Sequence, residues 1–142
     1  MVTFQTTINT QPGGLARVHE MVSALERARG LPAGVVFDIN VVLDEIISNI
    51  LKYSYADACT HEIRIQLSAT DTAVEIGIED DGAPFDPLTA PEPDLRLPLA
   101  ERALGGLGLH FVRQLMDEVK YKRENNRNYL FLNKKITPRA TD

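Results

Sequence analysis

Polar residues suited to phosphate chemistry lie on a helix predicted between residues 33 and 55. Glu45, Asn49 and Lys52 are spaced so that on an α-helix they follow one stripe beside the apolar face. An amide oxygen can bind Mg²⁺ directly, and a carboxylate can orient or deprotonate a nucleophile. The same spacing is also typical of the solvated flank of an amphipathic helix. The stripe therefore indicates either a metal-phosphate site or a polar helix surface.

A second candidate is the Asp-Asp-Gly turn at residues 80–82, which follows a predicted strand. Asp80 is in phase with Val74, Ile76 and Ile78, so its side chain should point toward the core. A buried carboxylate needs a partner, because an unpaired buried charge is costly. An adenine amino group is one such partner, and the backbone N–H groups of a tight turn are another.

A third candidate is the glycine-rich turn at residues 105–109, which leads into a predicted helix at His110. Gly106 and Gly108 would let the backbone approach a ligand closely. The first N–H groups of the helix would form an anion site, which suits phosphates. A simple cap between a loop and a helix would have the same composition.

The elements around these candidates predict an α+β fold. Alternating and helical periodicities indicate the order strand, two helices, two strands, loop, helix, two strands. A glycine, Gly30, is expected to end the first helix. This order favours a two-layer sandwich of a mostly antiparallel sheet with helices on one face, and not a Rossmann or P-loop fold. We expect one domain over residues 1–142.

Most of the chain's eight prolines fall between residues 82 and 98. This composition predicts a long loop, with a short helix near residues 97–103. Loops of this length inside a compact domain are usually functional lids or disordered segments.

Composition and charge narrow the function classes. Of the 142 residues, 44 % are apolar and 25 % are charged, which is ordinary for a soluble globular protein. The net charge of -5 argues against a protein that coats nucleic acid. No apolar run is long enough for a membrane span, and a single cysteine without a secretory signal predicts a cytoplasmic protein. The acidic stretch 71–101 and the basic stretch 120–135 indicate solvated surface or a partner-docking surface.

In their order and spacing, the three candidates resemble the N, G1 and G2 boxes of the ATPase superfamily that includes DNA gyrase B, Hsp90, histidine kinases and MutL. Residues 42–53 resemble the N box, residues 78–87 the G1 box with its trailing Phe-Asp, and residues 106–117 the G2 box. The resemblance is strongest to the bacterial branch of anti-sigma factors that are also serine protein kinases. It implies the Bergerat-type histidine-kinase-like fold, ATP and Mg²⁺ as cofactors, and an ATP lid at about residues 86–105.

The resemblance implies a role for each matching residue. It makes Glu45 the general base, Asn49 the Mg²⁺ ligand and Lys52 a contact near the phosphates. It makes Asp80 the acceptor for the adenine amino group and Gly82 the glycine beneath the base. The residues that it assigns to the phosphates are Gly106, Leu107, Gly108 and Leu109.

Two positions depart from the family's pattern. The second glycine that is usual in the G1 box is replaced around Pro84. A Thr or Ser commonly begins the last strand near the adenine, whereas this chain has Asn128, which could substitute as a polar contact. Four further residues lack metal-ligand spacing and are expected to be structural or surface residues: His19, His61, His110 and Cys59.

The resemblance implies an ATP-binding anti-sigma factor that phosphorylates a serine of its antagonist, a STAS-type anti-anti-sigma protein. The partners would be that antagonist and a sigma factor, and relatives often form homodimers through the sheet face away from the ATP. The alternative is a non-catalytic switch in which ATP occupancy orders the lid and a partner recognises the lid. A structural α+β module with a fortuitous resemblance is a third hypothesis. Phosphate transfer to a partner serine separates the first hypothesis from the second.

Overall fold

The structure is a computed structural model that describes residues 1–53, 60–84, 86 and 106–136. Its strands and helices follow one another in the order predicted from the sequence, and the predicted α+β class is confirmed. The bounds are β1 Val2–Asn9, α1 Gly14–Arg29, α2 Ala33–Tyr53, β2 Glu62–Ala69, β3 Ala73–Asp80, α3 Gly106–Leu115, β4 Glu118–Glu124 and β5 Arg127–Lys135.

Several sequence predictions fall outside the described residues. These are the lid beyond Asp86, the short helix at 97–103, the extension of α2 to Tyr55, and the positions of Gly105 and Cys59. They therefore stay predictions.

The described strands form one antiparallel sheet in the order β1-β2-β3-β5-β4. The hairpin predicted between β2 and β3 is present, and β4 pairs with β5. The central pairing of β3 with β5 sets Asp80 opposite Asn128, and the next pairing sets Asn128 opposite Arg123. Because paired residues share a face, Asp80, Asn128 and Arg123 form one row on the helix-facing side, here named the Asp80 row.

The hydrophobic core lies between the helices and one face of the sheet. Alternate residues of β2 and β3 point into it, and Ile65, Leu67 and Ile76 are fully buried. Each buried Leu or Ile contributes about 1.5–3 kcal/mol relative to exposure. The fully buried residues of α2 recur at helical spacing: Ile39, Val42, Leu43 and Ile47. No helix among the described residues is both long and apolar enough to cross a membrane.

The end of α1 is fixed by Gly30, as predicted. Its backbone is left-handed, with a φ of 63°, and its N–H donates to the carbonyl of Glu26 at 2.8 Å. A residue with a side chain would lose roughly 1–2 kcal/mol in this conformation. The short connection that follows leads directly into α2, which bears the first candidate stripe.

One lysine ties the helical layer to the sheet. Lys134 of β5 lies 3.0 Å from the Asp38 carboxylate of α2, and its ammonium donates to the Leu115 carbonyl at 2.7 Å. Leu115 is the last residue of α3, where a positive charge is favourable because helix carbonyls there are unpaired. This contact holds the C-terminal end of α3 beside α2.

We expect Leu43→Ala to lower the free energy of unfolding by about 2–5 kcal/mol, because it leaves a cavity in the packed core. Phe37→Ala, on the same helix but at a side chain that is 67 % exposed, is the matched control. Urea denaturation of both variants measures the difference. Equal losses would mean that α2 does not bury the face described here.

Candidate functional site

The amide of Asn49 is the one member of the α2 stripe that is fully enclosed. Asn49 is 7 % exposed, and its Nδ2 has no hydrogen-bond partner among the described residues. A buried amide nitrogen without a partner costs about 1–3 kcal/mol, so such groups are uncommon unless they serve another purpose. The phase of the helix explains the burial, because Ile46 and Ile50 on either side belong to the core.

The carboxylate of Glu45 lies one turn before Asn49. Glu45 is half-buried and forms neither a hydrogen bond nor an ion pair with the described residues. The neighbouring Asp44 points elsewhere and contacts His19 Nε2 at 2.6 Å. Lys52, near the end of α2, is exposed. The stripe therefore combines an available carboxylate, a buried amide and an exposed ammonium along one side of the helix.

Asp80 lies at the end of β3 and is 4 % exposed, so its predicted inward direction is confirmed. Its Oδ1 accepts a hydrogen bond from the Gly82 backbone N–H at 2.8 Å and another from Asn128 Nδ2 at 3.0 Å. The backbone N–H of the turn is thus one of the partners of this carboxylate. Within the described chain, no donor reaches the second oxygen, Oδ2.

Asn128 lies beside Asp80 at the start of β5 and is 4 % exposed. Its Nδ2 also donates to the Ala83 carbonyl at 2.9 Å and, more weakly, to the Gly82 carbonyl at 3.4 Å. Its Oδ1 accepts from the Tyr121 hydroxyl at 2.5 Å and from Arg123 Nη1 at 3.1 Å. Asn128 therefore links strand β4 to Asp80 and to the turn after it.

Arg123 holds the same turn from the other side. Its Nη1 donates to the Gly82 carbonyl at 2.7 Å, and hydrogen bonds to a charged donor are stronger than neutral ones. Together with Asn128 it fixes the backbone up to Ala83, immediately before Pro84, the place where the resemblance implies a second glycine. These contacts give the turn a defined shape without that glycine.

Burial raises the pKa of Asp80 above its ordinary value, because the ionised carboxylate loses solvation. The hydrogen bonds from Asn128 and from the Gly82 N–H oppose this shift, as does the positive charge of Arg123. The negative charge of Asp81 adds to it. The pKa of Asp80 thus reflects a balance in which desolvation is the largest effect.

The glycine-rich segment differs from its prediction. The predicted helix start at His110 is wrong, because α3 already begins at Gly106, so Gly106 to Leu109 form its first turn. The buried Val112 and the core residue Met116 anchor the far end of this segment. The unpaired N–H groups of a helix belong to its first turn. The anion site expected at the start of α3 is therefore formed by Gly106 to Leu109 and not by the residues from His110 onward.

The α2 stripe and the start of α3 lie in the helical layer, whereas Asp80 lies in the sheet. α2 packs against α3, and the residues flanking Asn49 share the core with Ile78, two residues before Asp80. Within the described part of the chain, no hydrogen bond or ion pair connects the α2 stripe to Asp80 or Gly82.

Sequence reasoning missed two residues of this site, Tyr121 and Arg123. Both are in phase with Val119, which packs against the core, so β4 directs a hydroxyl and a guanidinium toward the helical layer. The sequence signal that could have revealed these contacts is Arg123, a charged residue in the same phase as the core residue Val119. The sequence predicts the basic stretch 120–135 to be solvated surface or a partner-docking surface, and Arg123 departs from that prediction.

The histidines that can be described have local partners. His61 Nδ1 lies 3.3 Å from Asp81 Oδ1, and His19 contacts Asp44. The side chain of His110 lies outside the described residues. In the described ranges, no group of three or more His, Cys, Asp and Glu side chains could hold a metal ion.

Comparison with known proteins identifies the family. Residues 8–134 match the histidine kinase-like ATPase domain, and the chain belongs to this family. It is 30 % identical over 104 residues to the serine/threonine-protein kinase BtrW of Bordetella bronchiseptica, covering 73 % of each chain. It is 30 % identical over 120 residues to the serine-protein kinase RsbW of Oceanobacillus iheyensis, covering 78 % of this chain and 72 % of the relative.

Solved structures agree with the fold. A structure of the RsbU and RsbW domains of a Mycobacterium tuberculosis protein superposes with a TM-score of 0.68 at 14 % identity, over 96 % of this chain and 32 % of that one. A blue-light activated histidine kinase of Erythrobacter litoralis gives a TM-score of 0.59 at 15 % identity, over 89 % and 43 %. Identities this low support the predicted histidine-kinase-like fold and no more.

The residues present fit a Mg²⁺-nucleotide. Asn49 offers an enclosed amide whose nitrogen lacks a partner in the described chain, and rotation of the amide presents its oxygen, a ligand type that Mg²⁺ accepts. Mg²⁺ usually takes few protein ligands and binds mainly to phosphates and water, so the absence of a carboxylate cluster in the described residues is compatible with it.

The raised pKa of Asp80 predicts a specific pH dependence of stability. The folded state holds the Asp80 proton more tightly than the unfolded chain, whose pKa is near the ordinary 3.8. As the pH rises through the window between these two pKa values, the free energy of unfolding falls because the buried carboxyl must ionise. At pH values below this window the free energy of unfolding is not reduced, and at pH values above it the reduction is constant.

Asp80→Asn should escape that loss while keeping an acceptor for the Gly82 N–H. We expect its stability relative to the wild type to improve as the pH rises through the window and then to level off. Chemical denaturation of both proteins at a series of pH values measures this. A relative stability that is flat, or that improves toward acid pH, contradicts the assignment.

Proposed function

We propose that the protein is an ATP-dependent serine/threonine protein kinase that also acts as an anti-sigma factor. The observation on which the proposal rests is the pairing, one turn apart on α2, of an available carboxylate, Glu45, with an enclosed amide, Asn49. The membership in a family of ATPase domains and the likeness to two kinases named for serine phosphorylation support it.

In this proposal, Asp80 recognises the nucleotide base. Its Oδ2, to which no described residue donates, accepts a hydrogen bond from the amino group of adenine. Gly82 is held against Asp80 through its own N–H, so the backbone lies close beneath the base. A buried acceptor discriminates strongly between bases, because a base without the matching donor leaves it unpaired.

The phosphates would lie between α2 and the start of α3, which pack against each other. The Asn49 oxygen would hold the Mg²⁺ that accompanies the nucleotide, and Lys52 would contribute positive charge nearby. The N–H groups of Gly106, Leu107, Gly108 and Leu109 surround the phosphate oxygens. Mg²⁺ supplies charge neutralisation of the transferred phosphoryl group, and the protein supplies positioning.

Glu45 accepts the proton of the attacking serine while the serine oxygen bonds to the γ-phosphorus and the bond to the departing ADP oxygen breaks. Glu45 is half-buried, and it has no ion pair among the described residues that would hold it away from a substrate hydroxyl. Phosphoryl transfer needs little covalent help from a kinase, so one positioned carboxylate is sufficient for this step. The lid at about residues 86–105 would cover the nucleotide.

The partners follow from the family resemblance. The relative RsbW is named a serine-protein kinase, and we propose as substrate a serine of a STAS-type anti-anti-sigma protein. A sigma factor is the second partner, held inactive until the antagonist releases it. A regulator of a sigma factor acts in the cytoplasm.

The outer face of the sheet is proposed as a homodimer interface. A cavity of about 600 Å³ lies there, and Gly77, which pairs with Gln66 on one side and Phe131 on the other, is among its lining residues. Charged pairs surround it, including Lys120 with Glu118 at 2.9 Å. The lining of the cavity includes the aromatic side chains of Tyr129 and Phe131, a residue type that is enriched at protein interfaces.

The kinase step is tested with γ-labelled Mg-ATP and the serine-bearing antagonists encoded by the same genome. Glu45→Gln should reduce label transfer by about 10²- to 10⁴-fold, the usual contribution of a general base, while ATP still binds. Asp44→Asn is the matched control, since this adjacent carboxylate contacts His19 instead.

The outcomes of the kinase test are distinct. Label on one antagonist that is lost with Glu45→Gln and kept with Asp44→Asn supports the proposal. ATP binding without transfer to any antagonist leaves the non-catalytic switch as the function. If the labelled phosphate is still transferred at the wild-type rate by Glu45→Gln, Glu45 is not the general base.

The dimer is tested with Gly77→Arg. An added Cβ at Gly77 meets only Gln66, at 4.0 Å, so the fold of one chain has room for the new side chain. We expect the variant to be a monomer and the wild type a dimer in sedimentation velocity. A variant that sediments as the wild type does would exclude this face as the interface.

A further inference from the structure

The orientation of the Asn128 amide is dictated by its neighbours. Arg123 is a donor only, so the atom that faces Arg123 Nη1 at 3.1 Å must be the amide oxygen. The opposite side faces acceptors only, namely Asp80 Oδ1 at 3.0 Å and the Ala83 carbonyl at 2.9 Å. The reverse orientation would set oxygen against oxygen on one side and an NH₂ group against a guanidinium on the other.

This fixed orientation of the Asn128 amide determines which oxygen of Asp80 remains available to a ligand. Asp80 Oδ1 is occupied by two donors, the Gly82 N–H and Asn128 Nδ2. Only Oδ2 is left without a donor among the described residues, and it is an acceptor as long as Asp80 is ionised. A protonated Asp80 would instead offer a hydroxyl donor at the same place.

We propose that Arg123 and Tyr121, on the edge strand β4, act through Asn128 as positioning residues that keep Asp80 an acceptor. They thereby make the site selective for a purine that presents an amino group over one that presents a carbonyl. This inference rests on the proposed function, since it concerns how the nucleotide site chooses its base. It adds two residues that do not contact the base themselves.

The positive charge of Arg123 acts in the same direction as its hydrogen bonds, because it favours the ionised form of Asp80. Among the charged groups that act on Asp80, Arg123 from β4 favours the ionised form, whereas Asp81 at the end of β3 disfavours it. Asp81 in turn contacts His61 at 3.3 Å. Burial raises the pKa of Asp80, so loss of the Arg123 charge raises it further and moves the site toward the hydroxyl form.

The test compares ATP with inosine triphosphate, a purine nucleotide with a carbonyl in place of the amino group. Dissociation constants of both are measured by calorimetry on the full chain between mildly acidic and neutral pH. Arg123→Gln should narrow the preference for ATP by about tenfold, the effect of losing the charge-assisted hydrogen bond to Asn128. Its ATP affinity should also begin to fall at a higher pH than that of the wild type.

Matched variants separate positioning from general structure. Arg123→Lys restores the charge and should recover most of the preference. Arg127→Gln makes the same chemical change on the outer face of the sheet, beside Glu79, and should leave the preference unchanged. Tyr121→Phe removes only one donor to Asn128, so it tests the same chain of contacts if Arg123→Gln fails to fold.

The outcomes distinguish this inference from the proposed function. Suppose that Asp80→Asn loses ATP binding, whereas Arg123→Gln and Tyr121→Phe keep the wild-type preference for ATP and the wild-type pH dependence of ATP affinity. This result would overturn the inference and leave the proposed function standing. A wild type that binds neither nucleotide overturns both. A narrowed preference in Arg123→Gln that Arg123→Lys recovers supports the inference.

Discussion

The pairing of β3 with β5 is the contact on which the candidate site depends. It joins residues 48 positions apart in the chain, so that Asn128 lies against Asp80 in the interior. Without this pairing, the buried carboxylate would have only the turn N–H of Gly82 as a partner. An isolated buried charge of that kind would drive the chain toward a protonated or rearranged state.

The polar residues around Asp80 are arranged as a layer over the apolar core. Below them the helix-facing side of the sheet is filled by aliphatic side chains such as Ile76 and Leu132. At its end, the Asp80 row replaces aliphatic packing with hydrogen bonds and leaves Asp80 Oδ2 without a donor among the described residues. Residues that bind ligands often destabilise the fold in this way, since a group arranged to meet a ligand is not arranged for maximal stability.

Much of the fold follows from local pattern, because period-two and period-3.6 alternation directly records which side chains are buried. The inward direction of Asp80 and the helix end at Gly30 are both local consequences of phase and of backbone freedom, and both were predicted. The start of α3 at Gly106 was not predicted correctly. Glycine has a low helix propensity, yet here the helix includes two glycines, and packing of the residues near Val112 overrides that preference.

The contacts of Arg123 and Tyr121 could not be obtained from local pattern either. Their inward phase is visible in β4, but the identity of the residue opposite them depends on the register between β4 and β5 and on the neighbour of β5. The expectation that Asn128 lies near an adenine rests only on the resemblance to a family in which a Thr or Ser commonly occupies that place. Which groups share the Asp80 row is a property of the assembled sheet.

The strand order has a consequence for biosynthesis. Asn128 lies in β5, the last described strand, and β5 inserts between β3 and β4. A ribosome-bound chain that has not yet released β5 therefore exposes the open edge of β3 and has no Asn128 to meet Asp80. The hydrogen-bonded row around Asp80, where we propose that the nucleotide base binds, is consequently among the last of the described parts of the molecule to form.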